Sequence, residues 1–450
     1  MTQAVRGAAR SPGITYQQLL DEDTHPVPAV LRLETPAFIG DGKDVSKDRY
    51  TTKEWHDREV ERLWMRVWQF ACREDEIPTV GDYAIYEIAH LSFIVMRQQD
   101  GSIKAYPNAC LHRGRRLKDY EGHCSELRCN FHGFAWMLNG ALQDIPAQWD
   151  FSHVEPENFG LPEMQVATWE GFVFINPDPN AEPFHEYAKE LIEQFSIWPL
   201  GEYYTEARVA KVIQANWKIT QEAFCEAYHV SGTHPQIMYY LGDTNSQVDV
   251  WQNVARVISP GGTPSPQLDS EPGPDDMLRS MLDLRLGEEL PTHVPEGSTM
   301  RAHAAALART RWRPIVGDKV DTMSDAEMMD SLDYTLFPNF HPWGAFNRIV
   351  YRFRPNGSDH RSSIMEVFFL SPFTGERPAP APIHWLEDHE SFSDATELGM
   401  LGKVFNQDLF NMGKVQLGLE ATFKAGVTLS NYQEGKVRWL HHKLGDWVEG

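Results

Sequence analysis

Two groups of side chains in this sequence have the types and spacings that hold metals. The first is Cys110-x-His112 with Cys129-x-x-His132, two thiolates and two imidazoles on two tight loops. The second is Glu226, His229 and His234, a carboxylate and two imidazoles within one short segment. Thiolate and imidazole sets bind zinc or iron-sulphur clusters. Two imidazoles and one carboxylate on one face of an Fe(II), with the remaining positions open, make the facial triad of non-haem iron chemistry. One group could carry an electron and the other could use it.

The order of the first set separates the metals. Zinc sites of this composition usually pair Cys with Cys at one end and His with His at the other. Here each loop supplies one of each, as a [2Fe-2S] cluster requires when one iron is held by two Cys and the other by two His. Gly114 and Gly133 follow the His positions, where the backbone must come close to the bridging sulphides. With these residues in view, the segment resembles the Rieske domain of the ring-hydroxylating oxygenase family, whose pattern is C-x-H-R-G followed by C-x-x-H-G. Every motif position is filled, Arg113 included.

The second set needs a helix and its end. Asn216 is a plausible N-cap for a helix over 216–230, and a helix places Glu226 and His229, three apart, on one face. His234 lies five beyond His229, a rotation of about 140° in an unbroken helix. The helix must therefore stop between them, and Gly232 followed by Pro235 is placed to stop it. A third ligand is expected from the C-terminal part, where Leu401, Phe405, Met412, Val415 and Leu419 trace an apolar stripe that contains Asp408. A carboxylate facing a core must be paired or bound to a metal. Asp388, Asp394 and Glu397 are the candidates if the stripe is misphased.

Both segments are similar to the catalytic domain of the same family, on Asn216-Trp217-Lys218, Glu222-x-Phe224, Glu226, Ala227-Tyr228-His229, His234 and Gln407-Asp408, with Gln416 following. Most members have Asp where this chain has Glu226, and many have Asn where it has Ala223. The resemblance implies a large, catalytic subunit with a [2Fe-2S] cluster on Cys110, His112, Cys129 and His132. It implies Fe(II) on His229, His234 and Asp408. Glu226 would be a bridge and not a ligand, joining His229 to His132 of the partner subunit and passing the electron between centres. That geometry implies a homo-oligomer, α3 or α3β3. Electrons would come from NAD(P)H through a ferredoxin or flavin reductase, and O2 would hydroxylate an aromatic or related small organic substrate. N- or O-demethylation uses the same machinery. An electron carrier without oxygenase chemistry, or a zinc-stabilised binding protein, are the readings from other classes.

The elements that must position these groups follow from pattern. A chain of 450 residues is long for one core, so more than one domain is expected. Residues 1–66 read as an extended arm and a first helix, capped at Thr51-Thr52 and periodic through Trp55, Val60, Leu63, Trp64 and Val67. Short strands then alternate with turns over 67–180, the span of an all-β cluster domain. Residues 181–450 read as an α/β catalytic domain, an antiparallel sheet flanked by helices, so the whole is α+β. Its expected elements are helices over 184–195 and 385–420, strands over 205–213 and 248–258, and a hairpin over 348–370. The Pro/Gly-rich stretch 259–275 reads as a surface loop or lid.

Composition narrows the rest. A formal net charge of -23 argues against a nucleic-acid binder, and no stretch approaches the roughly 20 apolar residues of a membrane span. Five Cys, two of them spoken for, are no disulphide framework and fit a reducing cytoplasm. Cys124 and Cys225 read as small core residues. His341, His384, His389, His441 and His442 read as structural. Arg113 is expected to support the cluster loop, and Lys118 with its basic neighbours to offer a docking patch for an acidic ferredoxin. The aromatic stretches Met238-Tyr239-Tyr240 and Tyr334 to Phe346 are candidate pocket walls.

Overall fold

The computed structural model describes residues 14–285 and 293–450, and residues 1–13 of the expected arm lie outside them. The fold is α+β with antiparallel sheets. In the first third of the chain, Ile103–Pro107, Leu91–Arg97, Asp82–Ile88 and Gly122–His123 form one small sheet, and Leu127–Arg128, Ala135–Trp136 and Leu142–Asp144 form another. Between them lies a core of its own, built from Tyr83, Ile94, Met96, Tyr106, Leu127, Phe134 and Trp136, which also takes in Cys110 and Cys129.

A larger sheet of eight strands fills the second part. Its order is Gln247–Val250, Val254–Ser259, Ser331–Leu336, Phe340–Pro342, Ile349–Asn356, Asp359–Pro372, Tyr203–Ile213 and Ile383–Leu386. All neighbours are antiparallel except the last pair. Side chains alternate across a strand, so the two faces of this sheet pack on different things. Val350 and Phe368 join the core shared with the N-terminal region, while Tyr351, Phe353, Met365 and Val367 pack under Phe405 and Met412 of the Leu401–Ala421 helix.

The two regions are joined by more than a linker. Phe70, on a strand of the first region, packs edge-on against Phe340, at 5.2 Å between ring centroids, and lies 5.4 Å from Phe368. Beside these rings, the buried Glu366 receives Arg208, Arg352 and Arg354. Those guanidinium groups also reach Glu76, the Phe70 and Ala71 carbonyls, and the Glu87 carbonyl. Burial would raise the Glu366 pKa, but Arg352, Arg354 and Arg208 together hold it far below the usual carboxylate range. A single buried carboxylate is thus shared by three cations that tie the sheet to the cluster-bearing region, one of which, Arg208, also pairs with Glu76.

Several elements depart from expectation. The helix starting at Trp217 ends at Glu222, well before Val230, because its last residue is pinned. Glu222 accepts from the Tyr50 hydroxyl at 3.2 Å and meets His441 Nε2 at 2.7 Å. Phe224, Cys225 and Ala227 then enter three separate apolar clusters, which one helix face could not do. Gly232 ends nothing and lies inside the short turn of helix Val230–Thr233. Residues 383–386 form the parallel edge strand, so the C-terminal helix begins at Leu401. Residues 248–258 make a hairpin of two strands. The stretch 259–275 is not wholly a surface loop: Ser259 to Gly262 are buried, and a side chain at Gly261 would collide with the Met329 carbonyl. Among the described residues, no helix is long and apolar enough to cross a membrane.

Candidate metal centres

The two cluster loops have matching backbones. Gly114 N–H donates to the Cys110 carbonyl at 2.9 Å and Gly133 N–H to that of Cys129 at 3.0 Å. Cys110 N–H donates to the Arg115 carbonyl and Cys129 N–H to the Phe134 carbonyl, both at 2.8 Å. Both glycines have positive φ, +77° and +83°, which a side chain would strain. The loops bring the imidazoles of His112 and His132 to 4.7 Å between ring centroids. Both thiols are buried, His132 is exposed, and His112 is half-buried against Phe134. His112 Nδ1 is buried without a hydrogen-bond partner. The donor set therefore fits a [2Fe-2S] cluster, which Cys110, His112, Cys129 and His132 would hold.

Around the loops, Arg113 lies over the exposed ring of Phe131, at 5.4 Å. Arg115 pairs with Asp119, and Arg116 with Glu87. The Lys118 ammonium lies 5.1 Å from the Tyr83 ring. Cys225 is buried and Cys124 half-buried.

At the second centre, His229, His234 and Asp408 present donor atoms all within 4.8 Å of one another. Asp408 Oδ1 lies 2.9 Å from His234 Nε2 and 3.4 Å from His229 Nε2. Asp408 is only 4% exposed and His234 2%, so an uncompensated charge there would be costly. Burial would raise the Asp408 pKa and lower that of His229. Their mutual hydrogen bonding reverses both, lowering Asp408 and, with Glu226, bringing His229 to about 10. Both imidazoles must be neutral to bind a cation, and the donor set of two Nε2 atoms and one carboxylate fits Fe(II).

The other nitrogen of each imidazole is fixed from outside. His229 Nδ1 lies 2.9 Å from Glu226 Oε1, while Glu226 Oε2 accepts from the His229 backbone N–H at 2.8 Å. The residues meet through a tight turn instead of a helix face. His234 Nδ1 lies 2.9 Å from Gln407 Oε1, which also accepts from Gln236 Nε2 at 2.7 Å. This role of Gln407 was missed by reasoning from residue types, though its position beside Asp408 was the available signal. Asp388, Asp394 and Glu397 lie elsewhere: the Asp388 carbonyl faces Lys211, Asp394 accepts from Ser391, and Glu397 meets His384. The stripe that carries Asp408 is narrower than expected, since Val415 is 46% exposed and Gln416 is buried in its stead.

Four of the histidines read as structural have the following neighbours. His341 contacts Thr335, His384 contacts Glu397, and His441 contacts Tyr50 and Glu222. His442 lies 3.8 Å from Asp446.

Residues 67–161 match the family described as Rieske [2Fe-2S] domain, and residues 200–450 match the ring hydroxylating alpha subunit (catalytic domain). The chain is 31% identical over 198 residues to the anthranilate 1,2-dioxygenase large subunit of Acinetobacter baylyi, covering 42% of each chain. It is 32% identical over 195 residues to the large oxygenase component of the naphthalene 1,2-dioxygenase system of Pseudomonas putida, covering 40% of this chain and 42% of that one. The aligned stretch thus spans less than half the length of these curated relatives. Among solved structures, a quaternary ammonium Rieske monooxygenase superposes with a TM-score of 0.63 at 16% identity, over 90% of this chain and 95% of that one. The naphthalene 1,2-dioxygenase of a Rhodococcus species gives 0.59 at 20% identity, over 91% and 96%. At these identities the two structures speak to the fold. The catalytic-domain match alone takes in more than half of the chain, which therefore belongs to the family of ring-hydroxylating oxygenase alpha subunits.

Proposed function

We propose that this chain is the terminal, catalytic component of a Rieske-type oxygenase. It would take electrons from NAD(P)H through a ferredoxin or flavin reductase and hydroxylate an aromatic or related small organic molecule with O2. The observation that carries this reading is the second centre, where two imidazoles and one buried carboxylate converge while Glu226 and Gln407 hold the outer nitrogens. An electron carrier would need only the first centre.

The cluster would supply single electrons, and Fe(II) on His229, His234 and Asp408 the redox chemistry that activates dioxygen. The residues of this chain prepare both. Glu226 and Gln407 fix the tautomers of their imidazoles, so that both Nε2 atoms face Asp408. Phe224, Tyr351, Phe353 and Phe405 pack on one another in the apolar cluster beneath the helix that carries Asp408. His229 is the least buried of the three donors, and its Glu226 side is where His132 of the partner subunit would dock. We assign Glu226 as that inter-subunit bridge in an α3 assembly, with or without β subunits. Cys72, Cys124 and Cys225, the three cysteines outside the cluster set, form no disulphide, which suits a cytoplasmic setting.

The test is turnover under oxygen-18 gas with an NADH-driven ferredoxin and reductase, against aromatic acids, methylated amines and methoxyarenes. Label from the gas in a product is expected, and one atom or two separates monooxygenation from dioxygenation. Label drawn solely from water would sink the proposal.

A further inference from the structure

The sheet face turned toward Asp408 carries three neighbouring buried polar atoms without a hydrogen-bond partner: Asp333 Oδ1, His341 Nε2 and Trp343 Nε1. Buried polar atoms are nearly always paired, and an orphan costs about 1–3 kcal/mol. Register places the three together. Asp333 bridges to Trp343, and His341 pairs with Tyr351. Tyr351 in turn packs against Phe405, one turn before Asp408, at 5.9 Å between ring centroids. Burial, then the charges of Asp333 and Asp408, raise the Tyr351 phenol.

The neighbours fix what these atoms can do. Lys436 Nζ donates to Asp333 Oδ2 at 2.7 Å, which neutralises the carboxylate and leaves Oδ1 as an acceptor. His341 Nδ1 lies 2.9 Å from Thr335 Oγ1 and 3.9 Å from Asp333 Oδ1, so Nε2 is its remaining polar atom. Trp343 Nε1–H can only donate. Tyr351 and Phe353 add flat apolar walls beside them. The group offers a fixed donor and a fixed acceptor with no net charge.

We propose that Asp333, His341 and Trp343 form the polar end of the substrate pocket and select an aromatic compound bearing a neutral hydroxyl or amino substituent. This rests on the reading of His229, His234 and Asp408 as the oxygenating centre. A hydroxyl donates to Asp333 Oδ1 and accepts from Trp343 Nε1–H while its ring lies along Tyr351. A bare hydrocarbon leaves Asp333 Oδ1 and Trp343 Nε1 unpaired, and an aromatic carboxylate brings a second negative oxygen against Asp333.

Calorimetric titration of the iron-loaded full chain with phenol, aniline, toluene and benzoate tests this without turnover. Phenol and aniline are expected to bind about tenfold or more tightly than toluene and benzoate. Trp343→Phe is expected to bring phenol about tenfold toward toluene, with iron content unchanged. Asp333→Asn would strand buried Lys436, so the half-buried Trp343 is the safer change. Equal binding of phenol and toluene, tight binding of benzoate, or a Trp343→Phe variant that keeps wild-type preference would each overturn the proposal. Oxygen uptake measured on the same samples distinguishes the two readings: selective binding without uptake supports the pocket and counts against the oxygenase.

Discussion

Glu226 holds His229 twice, with one carboxylate oxygen on the ring Nδ1 at 2.9 Å and the other on the backbone N–H at 2.8 Å. The side chain is one methylene longer than the Asp usual in the family, and it uses that length to close a turn on its own histidine. Orientation and electrostatics of His229 therefore share a single carboxylate.

Glu226→Gln keeps the shape and removes the charge. Iron and sulphide content are expected to stay at wild-type level while turnover falls roughly 10- to 100-fold, the usual scale for such supporting carboxylates. Metal analysis beside steady-state rates checks it, and near-normal turnover would refute the bridge.

Gln407 should act through His234. Gln407→Leu removes the acceptor at 2.9 Å from Nδ1, and iron affinity at the second centre is expected to fall roughly 10- to 100-fold. Gln407→Glu restores an acceptor and should restore retention. Iron remaining after timed chelator challenge is the readout, and equal retention in wild type and Gln407→Leu would show that His234 needs no such support.

How much of this was legible in the sequence depended on how local the cause was. Cys110, His112, Cys129 and His132 sit on loops whose backbone closes within a few residues, so spacing alone displayed the set. His229 and His234 were likewise visible, but the chain path between them was not. The early stop at Glu222 is imposed by Tyr50 and His441, which are remote in sequence. The hold of Gln407 on His234 was overlooked because a neutral amide carries no charge to flag it. The face of the C-terminal helix was legible through Phe405 and Met412, whereas Val415 misled because an exposed valine is ordinary.

Glu366 makes a stability prediction. Glu366→Ala leaves Arg208, Arg352 and Arg354 without their shared buried counter-charge, at a cost of about 3–5 kcal/mol. Glu366→Gln should be milder. Urea unfolding followed by fluorescence measures both, and a loss below about 1 kcal/mol in Glu366→Ala would contradict the role.

His341 makes the pH prediction. Burial, only partly offset by Asp333, holds its pKa down to about 4 against an ordinary 6.5. Between those values the unfolded chain binds a proton that the folded chain refuses. Stability is therefore lost as pH falls from about 6.5 toward 4, by up to about 3 kcal/mol. In His341→Phe that part of the acid limb should flatten in urea midpoints taken across the range. An unchanged slope would show that His341 titrates freely in the folded protein.

The most direct measurement counts iron and acid-labile sulphide per chain in wild type and in Asp408→Ala. Two centres of different kinds predict about three irons to two sulphides, falling to about two and two when the buried carboxylate is removed, with the reduced-cluster resonance spectrum intact. Equal iron and sulphide in the wild type, or a ratio that Asp408→Ala leaves unmoved, would contradict it.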